Sequence, residues 1–118
     1  MRLRCRMTEI PQSRKFEDLN PSEKVASILS VTREPVSRGM AIVLAGISYD
    51  KLTSDQKEEL DILFGTEKLT KTKDLGREVF IASDDFKIEL SKTIDLMDVK
   101  FKLLGKRLAI YNSIKNKS

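Results

Sequence analysis

Apolar residues fall at helical spacing through most of this chain, interrupted by short polar stretches. In "LNPSEKVASIL", Val25, Ile28 and Leu29 share one face, which is the pattern of a half-buried helix. Asn20 can cap that helix, Pro21 suits its first position, and Glu23 stands at capping-box spacing. A second helix is expected to start near Thr32, whose hydroxyl can cap it, with Pro35 still in the first turn. Val36, Met40, Val43 and Ile47 form its apolar face, while Glu34, Ser37, Arg38 and Ala41 lie opposite. The run "AIVLAGI" makes its far end buried. A third helix is signalled by "TSDQKEELDILFG", with Thr53 and Gln56 as a capping box, Leu60, Leu63 and Phe64 inward, and Gly65 as the stop.

Residues 66–83 fit two patterns. Leu75 and Val79 favour a helix, whereas "KDLG" can turn a basic hairpin over 67–82 carrying Lys68, Lys71 and Lys73. From Ser83 one long helix is expected to run to about Lys115, opened by Asp84 and Asp85 and closed by a basic tail that complements its dipole. Along it Leu90, Ile94, Met97, Phe101, Leu104, Leu108 and Tyr111 alternate in steps of 4 and 3, a heptad seam. Leu103, Ile110 and Ile114 add a second stripe. The reading is therefore mainly α: a basic arm over 1–18, a domain of about four helices over 19–82, and the long C-terminal helix over 83–118.

Composition narrows the function. The 118 residues include 22 Lys and Arg against 18 Asp and Glu, a net charge of +4, which favours an acidic partner. Histidine is absent, so the usual general base and the commonest metal ligand are missing; no enzyme, metal or cofactor is expected. Asp55, Glu58, Glu59 and Asp61 read as a solvated helix face, and "LGKRL" lacks the glycine loop and hydroxyl of a phosphate-binding loop. The lone cysteine, Cys5, fits a reducing compartment. No run approaches a membrane span, and "MRLRCRM" is followed by polar residues, so a cytoplasmic protein without membrane contact is expected.

Residues 25–47, "VASILSVTREPVSRGMAIVLAGI", resemble the helix-turn-helix of GntR-type and cyclic-AMP-receptor-type transcription regulators. Ala26, Leu29, Val31, Thr32, Arg33, Pro35, Val36 and Met40 carry the likeness. Ser30 replaces the usual turn glycine, and Gly39 stands where a larger helix former is common. The following "LTSDQKEELDILFGTEKLT" is loosely similar to the region after the motif in ParB-type partition proteins. In winged regulators a hairpin follows the recognition helix almost directly, whereas here the helix 54–64 is expected to intervene.

The resemblance implies sequence-specific duplex DNA binding by a small transcription or partition-type regulator. Thr32, Arg33, Glu34, Ser37, Arg38 and Ala41 would face the major groove, and Arg2, Arg4, Arg6 and Lys24 would meet phosphates. A homodimer is expected, joined through Leu90, Ile94, Met97, Phe101, Leu104 and Leu108, because one short helix reads too few bases. The alternative is a non-enzymatic helical adaptor or inhibitor that binds another protein through the C-terminal helix.

Overall fold

A computed structural model describes residues 14–116, mainly helical with one two-stranded antiparallel hairpin. Helix α1, Pro21–Val31, begins with the expected capping box: the Asn20 side chain accepts from the Glu23 N–H, and the Glu23 carboxylate accepts from the Asn20 N–H. Its inner face, Val25, Ile28 and Leu29, is fully buried at the centre of the core.

The second helix does not start at Thr32. Thr32 is extended, with φ −74° and ψ 145°, and its backbone N–H donates to Ile28 as the end of α1. Glu34 precedes Pro35, whose ring disfavours the helical region for the residue before it, and the chain stays non-helical through Val36. Val36 and Phe80 exchange backbone hydrogen bonds in both directions, at 3.0 and 2.7 Å. Only then does Ser37 cap α2, Arg38–Leu44, by accepting the Met40 N–H at 3.2 Å.

Helix α3, Ser54–Gly65, has the expected capping box between Thr53 and Gln56. It buries Leu60, Leu63 and Phe64 against the core. Strands β1, Leu69–Asp74, and β2, Arg77–Ala82, follow at once, with Leu69 opposite Ala82 and Asp74 opposite Arg77. The helical reading of 66–83 is thus replaced by the hairpin. Its two-residue turn holds Leu75 at φ 54° and Gly76 at φ 81°, since a tight hairpin turn that matches strand twist needs positive φ at both positions.

The long helix is broken. Helix α4, Asp84–Ser91, ends before Lys92, and α5, Leu96–Asn116, starts anew where the Asp95 carboxylate accepts the Asp98 N–H at 3.1 Å. Between them Ile94 is buried and joins a short bridge with Arg14: the Arg14 N–H donates to Thr93, and the Asp95 N–H to Arg14, both at 2.9 Å. The segment from Arg14 to Asp18, expected as part of the basic arm over 1–18, is docked, with Phe16 in the core beside Leu19. No described helix is long and apolar enough to cross a membrane.

Candidate functional site

The six residues expected on one exposed helical face occupy three different environments. Thr32 is buried, and its hydroxyl donates to the Leu29 carbonyl at 3.3 Å. Arg33 and Glu34 are exposed on the bend between α1 and Val36. Ser37 is spent as a cap, Arg38 is ion-paired with Asp61, and Ala41 is fully buried, so it cannot reach a ligand. Residues 32–41 therefore do not form a recognition helix. Lys24 lies over the Phe16 ring, 5.5 Å from its centroid, and Arg2, Arg4 and Arg6 lie outside the described residues.

The hairpin alternative for 67–82 places β1 directly after α3, and what sequence reasoning missed is how α2 is tied to both. Arg38, at the start of α2, ties to Asp61 and stacks 5.0 Å over the Phe64 ring of α3, while Phe64 meets Phe80 of β2 edge-on at 4.8 Å. These contacts and the Val36–Phe80 bridge lock α2, α3 and the hairpin together. A groove of ≈ 500 Å³ lies among them, edged by Ser37, Arg38, Asp61, Phe64 and Arg77.

Asp61 from α3 and Arg77 and Glu78 from the hairpin face that groove, and both elements carry further exposed charges. Lys71, Lys73 and Arg77 are exposed on the hairpin, with Glu78 opposite Lys73 and Asp74 opposite Arg77. Leu75 at the tip is 93 % exposed. Helix α3 instead turns Asp55, Glu58, Glu59 and Asp61 outward around an exposed Ile62, and its Lys57 is held over the Tyr49 ring. That acidic face was visible in the sequence as a charge run; its position beside the hairpin was not.

The seam divides at the helix break. Ile94 belongs to the core and Leu90 is half-buried, so neither is free to join a second chain. Met97, Phe101, Leu104 and Leu108 stand 55 to 64 % exposed on α5, and Tyr111 continues the line. Val99 and Leu103 on the other side of the same helix are buried against the body. At about 100° per residue these two sets point in nearly opposite directions, so one apolar face is covered and the other is bare.

Ion pairs pin the docked segment to the start of α1 and to the base of α5. Arg14 donates to Glu23 at 3.0 and 2.5 Å, Lys15 to Asp95 at 2.9 Å, and Lys102 to Glu17 at 2.8 Å; the Phe16 N–H donates to Asp98. The donated bond from Arg14 holds the Glu23 carboxyl below its ordinary value, as that from Lys15 does for Asp95 and that from Lys102 for Glu17. Arg14, Lys15 and Lys102 are raised by the same hydrogen bonds.

No protein-family model matches the chain, and neither curated proteins nor solved structures give a match.

Proposed function

We propose that this chain is a DNA-binding regulator of the winged helix-turn-helix kind, acting as a homodimer. One observation carries the reading: the hairpin follows α3 directly and is tied by Val36 and Phe80 to the strand-like segment before α2. In that frame α2 and α3 are the helix-turn-helix pair, α3 holds the groove-facing position, and the hairpin is the wing. This pair is not the one that carries the resemblance in 25–47, and the reading rests on the order of α2, α3 and the hairpin. Lys71, Lys73 and Arg77 are the cations placed to meet phosphates. The bare stripe of Met97, Phe101, Leu104 and Leu108 supports pairing of two copies, each side chain gaining about 1 to 2 kcal/mol if its remaining exposed surface is covered.

The acidic face of α3 supports a second reading. The exposed carboxylates of Asp55, Glu58 and Glu59 repel phosphate, while Asp61 is paired with Arg38, and such a helix suits a basic protein partner. The chain would then be a non-enzymatic adaptor or inhibitor, with the α5 stripe also available to that partner. Fluorescence anisotropy on labelled duplex at graded salt separates the two: the regulator binds with a steep salt dependence, and the adaptor shows no binding even at low salt.

A further inference from the structure

The bend after α1, the flank of α4 and the first turn of α5 enclose a groove of ≈ 470 Å³. Three cations line it: Arg33 on the bend, Lys87 on α4 and Lys100 on α5. Val31, Leu96 and Met97 supply apolar lining, and no carboxylate is among the lining residues. Elsewhere Arg14, Lys15, Arg38, Lys68 and Lys102 are all tied to carboxylates, whereas Arg33, Lys87 and Lys100 have no such pair among the described residues. The Ser30 and Thr32 hydroxyls donate back to Ala26 and Leu29 within the α1 turn, so neither supplies the groove with a donor.

Three like charges around one opening raise its potential, and only an anion relieves all three together. The carbonyl end of α1 at the rim offsets a fraction of a charge. We propose that this groove binds a small organic anion with a carboxylate or phosphate head and a short apolar body. The head sits among Arg33, Lys87 and Lys100, and the body lies on Val31, Leu96 and Met97. Its volume falls in the range of about 300 to 1,000 Å³ typical of small-molecule sites. Because Val36 pairs antiparallel with Phe80, the chain at Arg33 lies toward Ser83, away from the Leu75–Gly76 turn. The site therefore uses neither the hairpin tip nor α3, and it shares only Met97 with the proposed dimer stripe.

Titration of the ¹⁵N-labelled full chain with hexyl phosphate and with hexanoate, against inorganic phosphate and neutral hexanol, tests this by amide chemical shifts. At least one amphiphilic anion should move the amides of Ser30–Arg33, Lys87 and Leu96–Lys100, with a Kd at least tenfold below those of inorganic phosphate and hexanol. Which of the two does so identifies the head. The Lys87→Met/Lys100→Met variant should weaken that binding at least tenfold. Arg33→Gln, on an exposed bend outside every helix, should weaken it severalfold and keeps the test valid if the double variant unfolds. Equal affinity for hexanol, shifts centred on Phe101–Tyr111, unchanged binding in the folded variants, or no binding of either anion would each overturn the proposal.

Discussion

The backbone of Val36 pairs with that of Phe80 across 44 positions of sequence, N–H to carbonyl at 3.0 Å one way and 2.7 Å the other. This bridge fixes where α2 begins and how the hairpin sits against it. Val36→Pro removes one donor and leaves the carbonyl of buried Phe80 unpaired, which should cost about 1 to 3 kcal/mol. The urea midpoint should fall, and the Phe80 amide should lose protection from hydrogen exchange. Unaltered exchange at Phe80 would show that the bridge does not hold the hairpin.

Phe101 is 64 % exposed in the single chain, so Phe101→Asp should leave the fold intact. Helix content by circular dichroism should be unchanged and monomer stability altered by less than about 0.5 kcal/mol, as for an ordinary surface position. In the dimer the same carboxylate would be buried without a partner. Sedimentation velocity should therefore show a dimer for the natural chain and a monomer for the variant. A natural chain that stays monomeric at high concentration would remove the dimer.

Local signals were legible in the sequence and tertiary ones were not. Asn20 with Glu23, and Thr53 with Gln56, located the starts of α1 and α3 because a capping box is written within four residues. Thr32 offered an equally plausible cap, but the Val36–Phe80 pairing holds the intervening residues extended, and Ser37 takes the role. The steps of 4 and 3 carried the seam straight through Ile94, since neither glycine nor proline marks the break. What ends α4 is the docking of Arg14 beside Thr93 and the cap from Asp95, a contact from the far end of the chain. The residues expected on the exposed face of 32–41 were the least legible, because the pairing of Arg38 with Asp61 and the burial of Ala41 depend on contacts that spacing along the chain does not show.

The hairpin cations give the DNA reading its sharpest test. Lys71→Ala/Lys73→Ala/Arg77→Ala should weaken binding to unrelated duplexes by a similar factor. The slope of log K against log salt should flatten by up to about 0.9 for each cation that meets a phosphate. Arg33→Ala should change nothing, since Arg33 lies away from the hairpin turn. Equal binding by the folded triple variant would exclude the hairpin as a phosphate-contacting wing.

Neutralising α3 discriminates between its two roles. Asp55→Asn/Glu58→Gln/Glu59→Gln removes exposed carboxylates without touching Leu60, Leu63 or Phe64. Duplex affinity should rise severalfold at low salt if this face approaches the groove, with the gain shrinking as salt screens the charges. No change in affinity would place α3 away from DNA and favour the protein-partner reading.

Acid should release the docked segment before it unfolds the core. Glu23, Asp95 and Glu17 are all lowered from ordinary values of 4.5, 3.8 and 4.5 by hydrogen bonds from Arg14, Lys15 and Lys102. A carboxyl with a lowered folded pKa contributes stability that is complete above its unfolded value and is lost as pH falls through the folded one. The window therefore opens near pH 4 and extends below it. Lys15 and Lys102 are raised from 10.5, so their side of the pairs is intact throughout that window and fails only in strong alkali. Amide shifts of Phe16 and Leu19 should move together as pH drops below about 4, ahead of those of Val25 and Ile28 at the core centre. Glu23→Gln removes the titrating partner of Arg14, so the Arg14 contact should lose its acid transition while the Lys15–Asp95 contact titrates as before. Because these pairs are largely exposed, raised salt should weaken them in the same order. Simultaneous loss of all four amides would mean that the segment is integral to the core and the ion pairs do not govern its release.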